Sequence, residues 1–444
     1  MRVYVYGGKM RKMKSSGVEW IGEIPEDWGI VKVKQAFVRK NEKAKQENPV
    51  ILSLARTGVK VRDVSTNEGQ VAESYYNYNP VSVGDLLLNP MDLYSGANCS
   101  LSEVEGVISP AYVNLKNKEG YFSKFYDYYF KVQYWMMVLF AHGKGVSFDN
   151  RWTLNHETLM NFPIVSPDFK TQKHIADFLD DKCGKIDRYI EKQQQIIDKL
   201  KEYKQAVITE AVTKGLNPDV PMKDSGIEWI GMIPEHWGVA KLANLFTFLG
   251  GYAFNSDLYV SETENLIVRI GNVKNDRLLF DANPVYISDD LAEQVIKFKL
   301  QCGDILFTMT GTKGKRDYFY TLILDNFHIQ TKNLYLNQRV GCFRKKAHIH
   351  AEYYNYLLKD NRILDSIFLY ETGTANQGNL GIDSINRTKV HLPPYDEQIM
   401  IANYLKEKCS RIDAVIAKKE VAINKSTEYK KSLIYEAVTG KLEV

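Results

Sequence analysis

Lys14 to Val33 reads KSSGVEWIGEIPEDWGIVKV and Lys223 to Leu242 reads KDSGIEWIGMIPEHWGVAKL, identical at 13 of 20 positions with no gap. Outward from that pair, Gln172 to Thr213 aligns on Gln398 to Thr439, again without a gap, with 20 of 42 positions identical. The order is short motif, variable stretch, helical stretch, then the same three again. A long-period repeat sets the fold before any local reading. Two copies of one frame around unlike inserts describe a chain that does one job at two places.

The helical repeats carry a stripe. Ile186, Ile190, Ile197, Leu200, Val207 and Ala211 recur by threes and fours or their sums, with Gln193 and Lys204 filling the gaps. That heptad-like spacing predicts a long helix with a narrow seam. The second copy, Ile412, Ile416, Lys419, Ile423, Ser426, Lys430, Leu433 and Ala437, is weaker and leans on a partner. Gly184 predicts a break between a short leading helix, about 172 to 183, and the long one. Some 26 residues at 1.5 Å each give a rod of roughly 40 Å, comparable to one turn of duplex DNA. A helical hairpin with no ruler role fits the stripe as well.

The variable stretches, about 34 to 166 and 243 to 392, hold short apolar runs bounded by Gly, Asn, Asp and Pro, such as Val50–Leu54, Asp85–Leu88 and Asp304–Phe307. These read as strands of mixed α/β domains. Gly84-Asp85-Leu86-Leu87 and Gly303-Asp304-Ile305-Leu306 sit at equivalent places, so the two domains share a fold despite little identity.

Hydrophobic content of 44% and charged content of 25% exclude a disordered or fibrous chain. A net charge of +4 permits a nucleic-acid partner without arguing for one. Cys99, Cys183, Cys302, Cys342 and Cys409 form no CxxC pair and read as buried thiols of a reducing compartment, which places the chain in the cytoplasm. No run of 18 apolar residues is present, so no membrane span is expected. Met1 to Lys12 has no counterpart in the second half and is set aside.

Enzyme signatures are only imitated. Leu392-Pro393-Pro394-Tyr395 resembles the Pro-Pro-Tyr motif of amino-methyltransferases, but Leu stands where a side chain must bond the target amine. Thr310 to Lys315 resembles the end of a P-loop, yet Met309 replaces its first glycine and Arg316 its Ser/Thr. Asp168 with Asp180-Asp181-Lys182 fits a nuclease constellation that the second copy breaks with Pro394 and Lys406. His348 and His350 lack a partner carboxylate or Cys for a metal. The chain reads as non-catalytic, with no metal and no cofactor of its own.

Polar, basic, Gly-containing loops remain. Arg56 to Arg62 includes Lys60; Thr310 to Arg316 carries Lys313 and Lys315; Lys144 leads to Asn150 and Arg151; Gly373 to Asn379 holds Asn376 and Gln377 in the corresponding place. Arg269 is a further candidate. Arg and Lys contact phosphates or guanine edges, and Asn and Gln pair with adenine. Each loop alone is more often a solvated surface; four in two matched domains shift the balance toward nucleic acid.

These residues match a family. From 14 to 444 the chain resembles the specificity subunits of type I restriction-modification systems. The resemblance rests on the doubled Glu-Trp-Ile-Gly-x-Ile-Pro-x-x-Trp (Glu19 to Trp28, Glu228 to Trp237), the doubled Gln-x-x-Ile-Ala…Lys-Cys-x-x-Ile-Asp, and Glu-Ala-Val-Thr at 210 to 213 and 436 to 439. One departure is Thr171-Gln172 where the second copy has Glu397-Gln398. The resemblance implies a mixed α/β fold with two target-recognition domains separated by two long antiparallel helices in a coiled coil. It implies an extra N-terminal segment at 1–13, recognition domains at 14–166 and 217–392, and conserved helical regions at 167–216 and 393–444. Each domain would read half of a bipartite, asymmetric site in double-stranded DNA. Two methyltransferase subunits and, in the full complex, two restriction subunits would be partners, bringing S-adenosylmethionine and ATP. Trp20, Trp28, Trp229 and Trp237 would serve packing or subunit docking, and Ile186, Ile190, Ile197, Ile412, Ile416 and Ile423 the helical interface. A rival reading is a helical-hairpin adaptor that binds proteins and no DNA.

Overall fold

In the computed structural model, which describes residues 12–64, 72–91, 93–94, 98–145, 152–274, 276–374 and 376–444, each helical repeat is one uninterrupted helix. The first, Phe169–Lys214, has 46 residues and the second, Tyr395–Val438, has 44. The break expected at Gly184 is absent. A Cβ at Gly184 would meet only the Arg188 guanidinium, at 3.5 Å, and its φ is not positive. A helical glycine there costs about 1 kcal/mol against alanine, too little to interrupt a helix packed on both sides of it. At 1.5 Å per residue the first helix runs about 69 Å rather than the roughly 40 Å expected. Asp168 accepts from the Thr171 amide at 3.0 Å at one start, and Pro394, with no N–H to leave unpaired, precedes the other. Gly215 and Gly440, at φ +77° and +72°, supply the left-handed residue that ends each helix.

The chain divides into two units, residues 1–194 with 420–444, and 195–419. The helical regions therefore form no domain of their own; each unit takes part of both helices.

In the first unit a hairpin pairs Met13–Ser15 with Glu23–Pro25, and Gly29–Lys32 pairs with Pro163–Ser166. A four-stranded antiparallel sheet follows, in the order Phe37–Arg39, Val113–Asn117, Leu86–Leu88, Cys99–Leu101. The helix Ser123–Trp135 packs against it through Phe125, Tyr126, Tyr129 and Phe130. Trp28, Ile175, Ala176 and Leu179 join this core, as do Leu433, Ile434, Ala437 and Val438 from the second long helix.

The second unit repeats the plan. Its hairpin is Met222–Asp224 with Met232–Pro234, and Gly238–Lys241 pairs with Lys389–Leu392. Its sheet runs Phe246–Gly250, Val340–Lys345, Ile305–Thr308, Thr321–Ile323, the same order as the first. Trp237, Tyr353 and Tyr354 pack with Val207, Ile208, Ala211 and Val212 of the first long helix and Ile401, Ala402 and Leu405 of the second. A parallel pair, Asn265–Val268 with Asn333–Leu336, packs Leu266, Leu334 and Leu336 against Leu306 and Cys342 of the sheet, and the first unit has its counterpart where Ile51 bridges Val107 in parallel and Leu52, Leu54 and Ile108 pack with Leu87.

Lys12 and Met13, set apart from the fold on sequence, belong to it. Glu26 N–H donates to the Lys12 carbonyl and Met13 opens the hairpin, as Glu235 does to Pro221 and Met222 does in the second unit.

Within each unit the long helices run antiparallel. Lys430 Nζ donates to Asp187 in the first unit and Lys204 Nζ to Asp413 in the second, each at 2.7 Å. The four residues are two pairs of repeat equivalents. Exposed pairs of this kind contribute at most about 1 kcal/mol, so they mark the register more than they stabilise it. Ile197, Ile412 and Ile416 of the expected seam are buried, and Ile186, Ile190 and Ile423 half-buried. Four cysteines are buried, and burial pushes the Cys183 thiol up to about 11. Cys302 is exposed in the turn before Gly303, which corrects the expectation of five buried thiols. Among the described residues no helix is long and apolar enough to cross a membrane.

Candidate nucleic-acid interface

Both domains hang their loops from one turn. Gly84 and Gly303, each at φ +86°, set up buried Asp85 and Asp304 just before a central strand. Asp85 accepts from Ser82 N at 2.8 Å, Lys40 Nζ at 2.6 Å and Asn114 Nδ2 at 3.1 Å. Asp304 accepts from Gln301 N at 2.8 Å and takes a two-pronged bond from Arg344, at 2.9 and 2.6 Å. A buried carboxylate with a full set of donors fixes the strand, and with it the loop that leaves its far end.

In the second unit that loop is Thr310 to Tyr318, and the structure joins it to the Gly373–Asn379 loop. Thr310–Gly311, Gln377–Asn379 and Thr372–Thr374 form a three-stranded sheet. Lys313 Nζ donates to Gly373 O at 3.1 Å, and Gly314 N to Glu371 Oε2 at 2.9 Å. Arg316 pairs with Asp365 and lies over the Phe368 ring at 5.7 Å. Lys313, Lys315, Arg316, Asn376 and Gln377 are all exposed on this one assembly.

The first unit is arranged differently. Arg56 sits in the turn of the hairpin Leu52–Ala55 with Gly58–Val61; Arg56 and Lys60 are exposed and Arg62 half-buried. Exposed Lys144 pairs with Thr153, in the place that the hairpin at 372–379 takes in the second unit. Asn150 and Arg151 lie outside the described residues. The counterpart of the Thr310 loop is not Arg56–Arg62 but the segment after Leu88: Leu154 N donates to Pro90 O at 2.8 Å as Leu380 N does to Met309 O at 3.2 Å. Sequence reading missed this segment. Counting forward from the two Gly-Asp turns would have found it, with exposed Tyr94 on it.

Arg269 is bonded within its own unit. Its backbone N–H donates to Asn272 at 2.9 Å and its guanidinium to the Asn283 carbonyl, so it braces a loop inside its own unit. Two of the four repeated tryptophans are framework. Trp28 and Trp237 are fully buried within their units, leaving no face for a partner. Trp20 stacks on Phe162 at 5.5 Å, and Trp229 packs against the second core. Trp237 Nε1 also donates to Glu397 at 2.9 Å, a bond that Thr171 has no carboxylate to repeat; Thr171 instead bonds Asp168. The duplicated glutamines do matched work. Buried Gln172 accepts from Phe122 N at 2.7 Å and donates to Pro167 O at 2.8 Å. Gln398 accepts from His350 N and donates to Pro393 O, both at 2.8 Å.

The enzyme-like fragments dissolve into structural roles. Asp168 caps a helix, Asp180 accepts from the Tyr128 hydroxyl at 2.8 Å, and the Thr310 loop leads to no phosphate-binding helix. His348 stacks on Tyr395 at 4.0 Å, and no group of residues fit to hold a metal occurs among the described residues.

Residues 234–425 match the family model for the type I restriction modification DNA specificity domain. The chain is 24% identical over 438 residues to the type I restriction enzyme MjaVIII specificity subunit of Methanocaldococcus jannaschii, covering 95% of this chain and 94% of that one. It is 23% identical over 346 residues to the EcoKI specificity subunit of Escherichia coli K12, covering 78% and 69%. A chain solved in work on "complex assembly and conformational transition of the type I R-M system" shares the fold, with a TM-score of 0.68 at 13% identity over 94% of this chain and 99% of that one. A doubled frame, one sheet order in both units and these similarities agree: the chain is similar along nearly its whole length to the specificity subunits of type I restriction-modification systems, and residues 234–425 match their DNA specificity domain.

Proposed function

We propose that each unit reads one half of a bipartite, asymmetric site in duplex DNA, and that the paired helices set the length of the unread spacer. The observation that carries this is the identical sheet order hung on two matched Gly-Asp turns, with unlike loops at their ends. Cations on the Thr310–Arg316 loop and on the Arg56–Arg62 hairpin would meet phosphates and guanine edges, and Asn376 and Gln377 adenine. Two methyltransferase subunits would supply S-adenosylmethionine, and two restriction subunits ATP-driven cleavage, in the cytoplasm. The adaptor reading has nothing to favour it beyond the helices themselves.

Exchanging residues 243–392 for the same domain of a relative tests the assignment. Methylome sequencing of cells carrying the chimera and its methyltransferase should show one half-site replaced, with the other half and the spacer kept. A change in both halves would overturn it. The spacer role is tested by inserting four residues into each long helix, which adds about 6 Å and rotates the seam by a little over one turn. The spacer should grow by about one or two base pairs at 3.4 Å each. An unchanged spacer in a complex that still methylates would make the helices scaffold only.

A further inference from the structure

Glu371 lies between the helix Asn361–Phe368 and the hairpin at 372–379, yet its carboxylate is held by the basic loop more than 50 residues earlier. Oε2 accepts from Gly314 N at 2.9 Å and Oε1 from the Tyr318 hydroxyl at 2.6 Å. Burial, then the bond to Glu371, pushes the Tyr318 hydroxyl above its ordinary range, so it stays a donor at neutral pH. The packing around the carboxylate is close. A Cβ at Gly378 would overlap Glu371 and approach the Lys313 backbone, and one at Gly311 would overlap Tyr318 and Asp317. Asp317 in turn accepts from Thr312 N at 2.7 Å, closing the loop on itself.

A negative side chain among Lys313, Lys315 and Arg316 opposes the attraction of phosphate. For affinity alone it is misplaced. It ties loop and hairpin together instead, so that Lys315 and Asn376 move as parts of one body. Direct readout by bidentate bonds needs donors and acceptors fixed relative to each other, whereas phosphate attraction does not. We propose that Glu371 is a specificity-determining positioning residue: it fuses the Thr310–Tyr318 loop and the hairpin at 372–379 into one rigid reading element of the second unit. This rests on the reading of that unit as recognising one half of the DNA site.

The experiment uses the complex of this chain with its methyltransferase subunits. The probes are a duplex bearing the site methylated by the wild-type complex in cells, duplexes with one base changed in either half, and unrelated duplex. A wild-type complex that fails to discriminate in the half assigned by the domain exchange overturns the underlying reading, before Glu371 is touched. Given that discrimination, Glu371→Ala should reduce it about tenfold or more in that half alone, as loss of a good bidentate contact does, while binding to unrelated duplex and its salt slope stay at wild-type values. Glu371→Gln, which still accepts from Gly314 and bonds Tyr318, should keep most of it. Tyr318→Phe, which removes one hydroxyl and keeps the ring, should show a smaller loss in the same half, and covers the case in which the alanine variant misfolds. Unchanged discrimination in both Glu371→Ala and Tyr318→Phe would overturn the proposal. So would tighter binding to every duplex by both Ala and Gln variants, which would make Glu371 a source of repulsion only.

Discussion

The two units are built to one plan, and they differ in how much polar machinery is buried inside it. Val165 on the closing strand of the first unit becomes His391 in the second, Thr171 becomes Glu397, and Phe125 becomes Tyr353, whose hydroxyl donates to Val212 O at 3.0 Å. The Gly-Asp turns are held from different strands: Lys40, just after Phe37–Arg39, holds Asp85, whereas Arg344 on Val340–Lys345 grips Asp304 with two nitrogens. At the first three places the first unit carries apolar or locally bonded side chains and the second carries larger polar ones: Tyr353 and Glu397 bond across the fold, and His391 makes no hydrogen bond. Duplicated frames therefore do not imply equal stabilities. The second unit should be the more sensitive to loss of a single polar group and to acid.

The widest gap should appear at the Gly-Asp turns. Asp304→Ala strands a guanidinium with fixed, partly buried geometry, and should cost the second unit about 3 kcal/mol, at the low end of values for a broken buried pair because Arg344 reaches some water. Asp85→Ala should cost the first unit less, about 2 kcal/mol, since Lys40 can swing to solvent on a flexible stem. Hydrogen-exchange protection measured separately for each unit in the intact chain would decide it. Equal losses would mean that the two turns are interchangeable.

Acid comes next. His391 is buried with neither ring nitrogen hydrogen-bonded, and burial, then Arg362, pushes its pKa down to about 4 from the ordinary 6.5. The fold favours the neutral ring, so this contribution is complete above pH 6.5, falls as pH drops below it, and is exhausted near pH 4. The full loss is about 3 kcal/mol at 1.36 kcal/mol per pKa unit. His350 in the same unit and His156 in the first are shifted in the same direction, also chiefly by burial. His391→Val, borrowing the residue of the first unit, should flatten most of the fall in the second unit between pH 6.5 and 4. A titration of protection against pH that is unchanged by the substitution would contradict this.

The doubled Trp-Ile-Gly and Gln…Ile-Ala motifs made the frame legible, because Trp28 and Trp237, and Gln172 and Gln398, occupy places that admit one side chain each. Gly184 reads as a break by its own propensity, whereas Leu179, Cys183 and Ile186 around it pack into the core and hold the helix. The basic loops were found, but not that two of them join, since the Glu371 bridge connects residues 57 apart in sequence. The bond from Arg269 to the Asn283 carbonyl could not be read in advance, since a backbone acceptor carries no signature in the sequence.

The smallest effect is the one the repeat predicts most directly. Glu397 takes bonds from Trp237 at 2.9 Å and from His236 at 2.5 Å, tying the doubled motif to the start of the second long helix; Thr171 in the first unit ties only to its own cap. Glu397→Thr would give the second helix start the side chain of the first. Trp237 would lose its acceptor while its ring stays buried, so the cost should be about 1–2 kcal/mol, that of one hydrogen bond and a desolvated N–H. His236 is partly exposed and adds little, because water replaces the carboxylate there. The reverse change, Thr171→Glu, offers Trp28 a new acceptor but removes the Thr171 bonds to Asp168 at the helix start, so it should be near neutral. Protection of the hairpin at 222–234 should fall in the first variant and that of the hairpin at 13–25 should hold in the second. A large loss from Thr171→Glu would show that the two helix starts are specialised beyond exchange, and that the repeat preserves shape without preserving its supports.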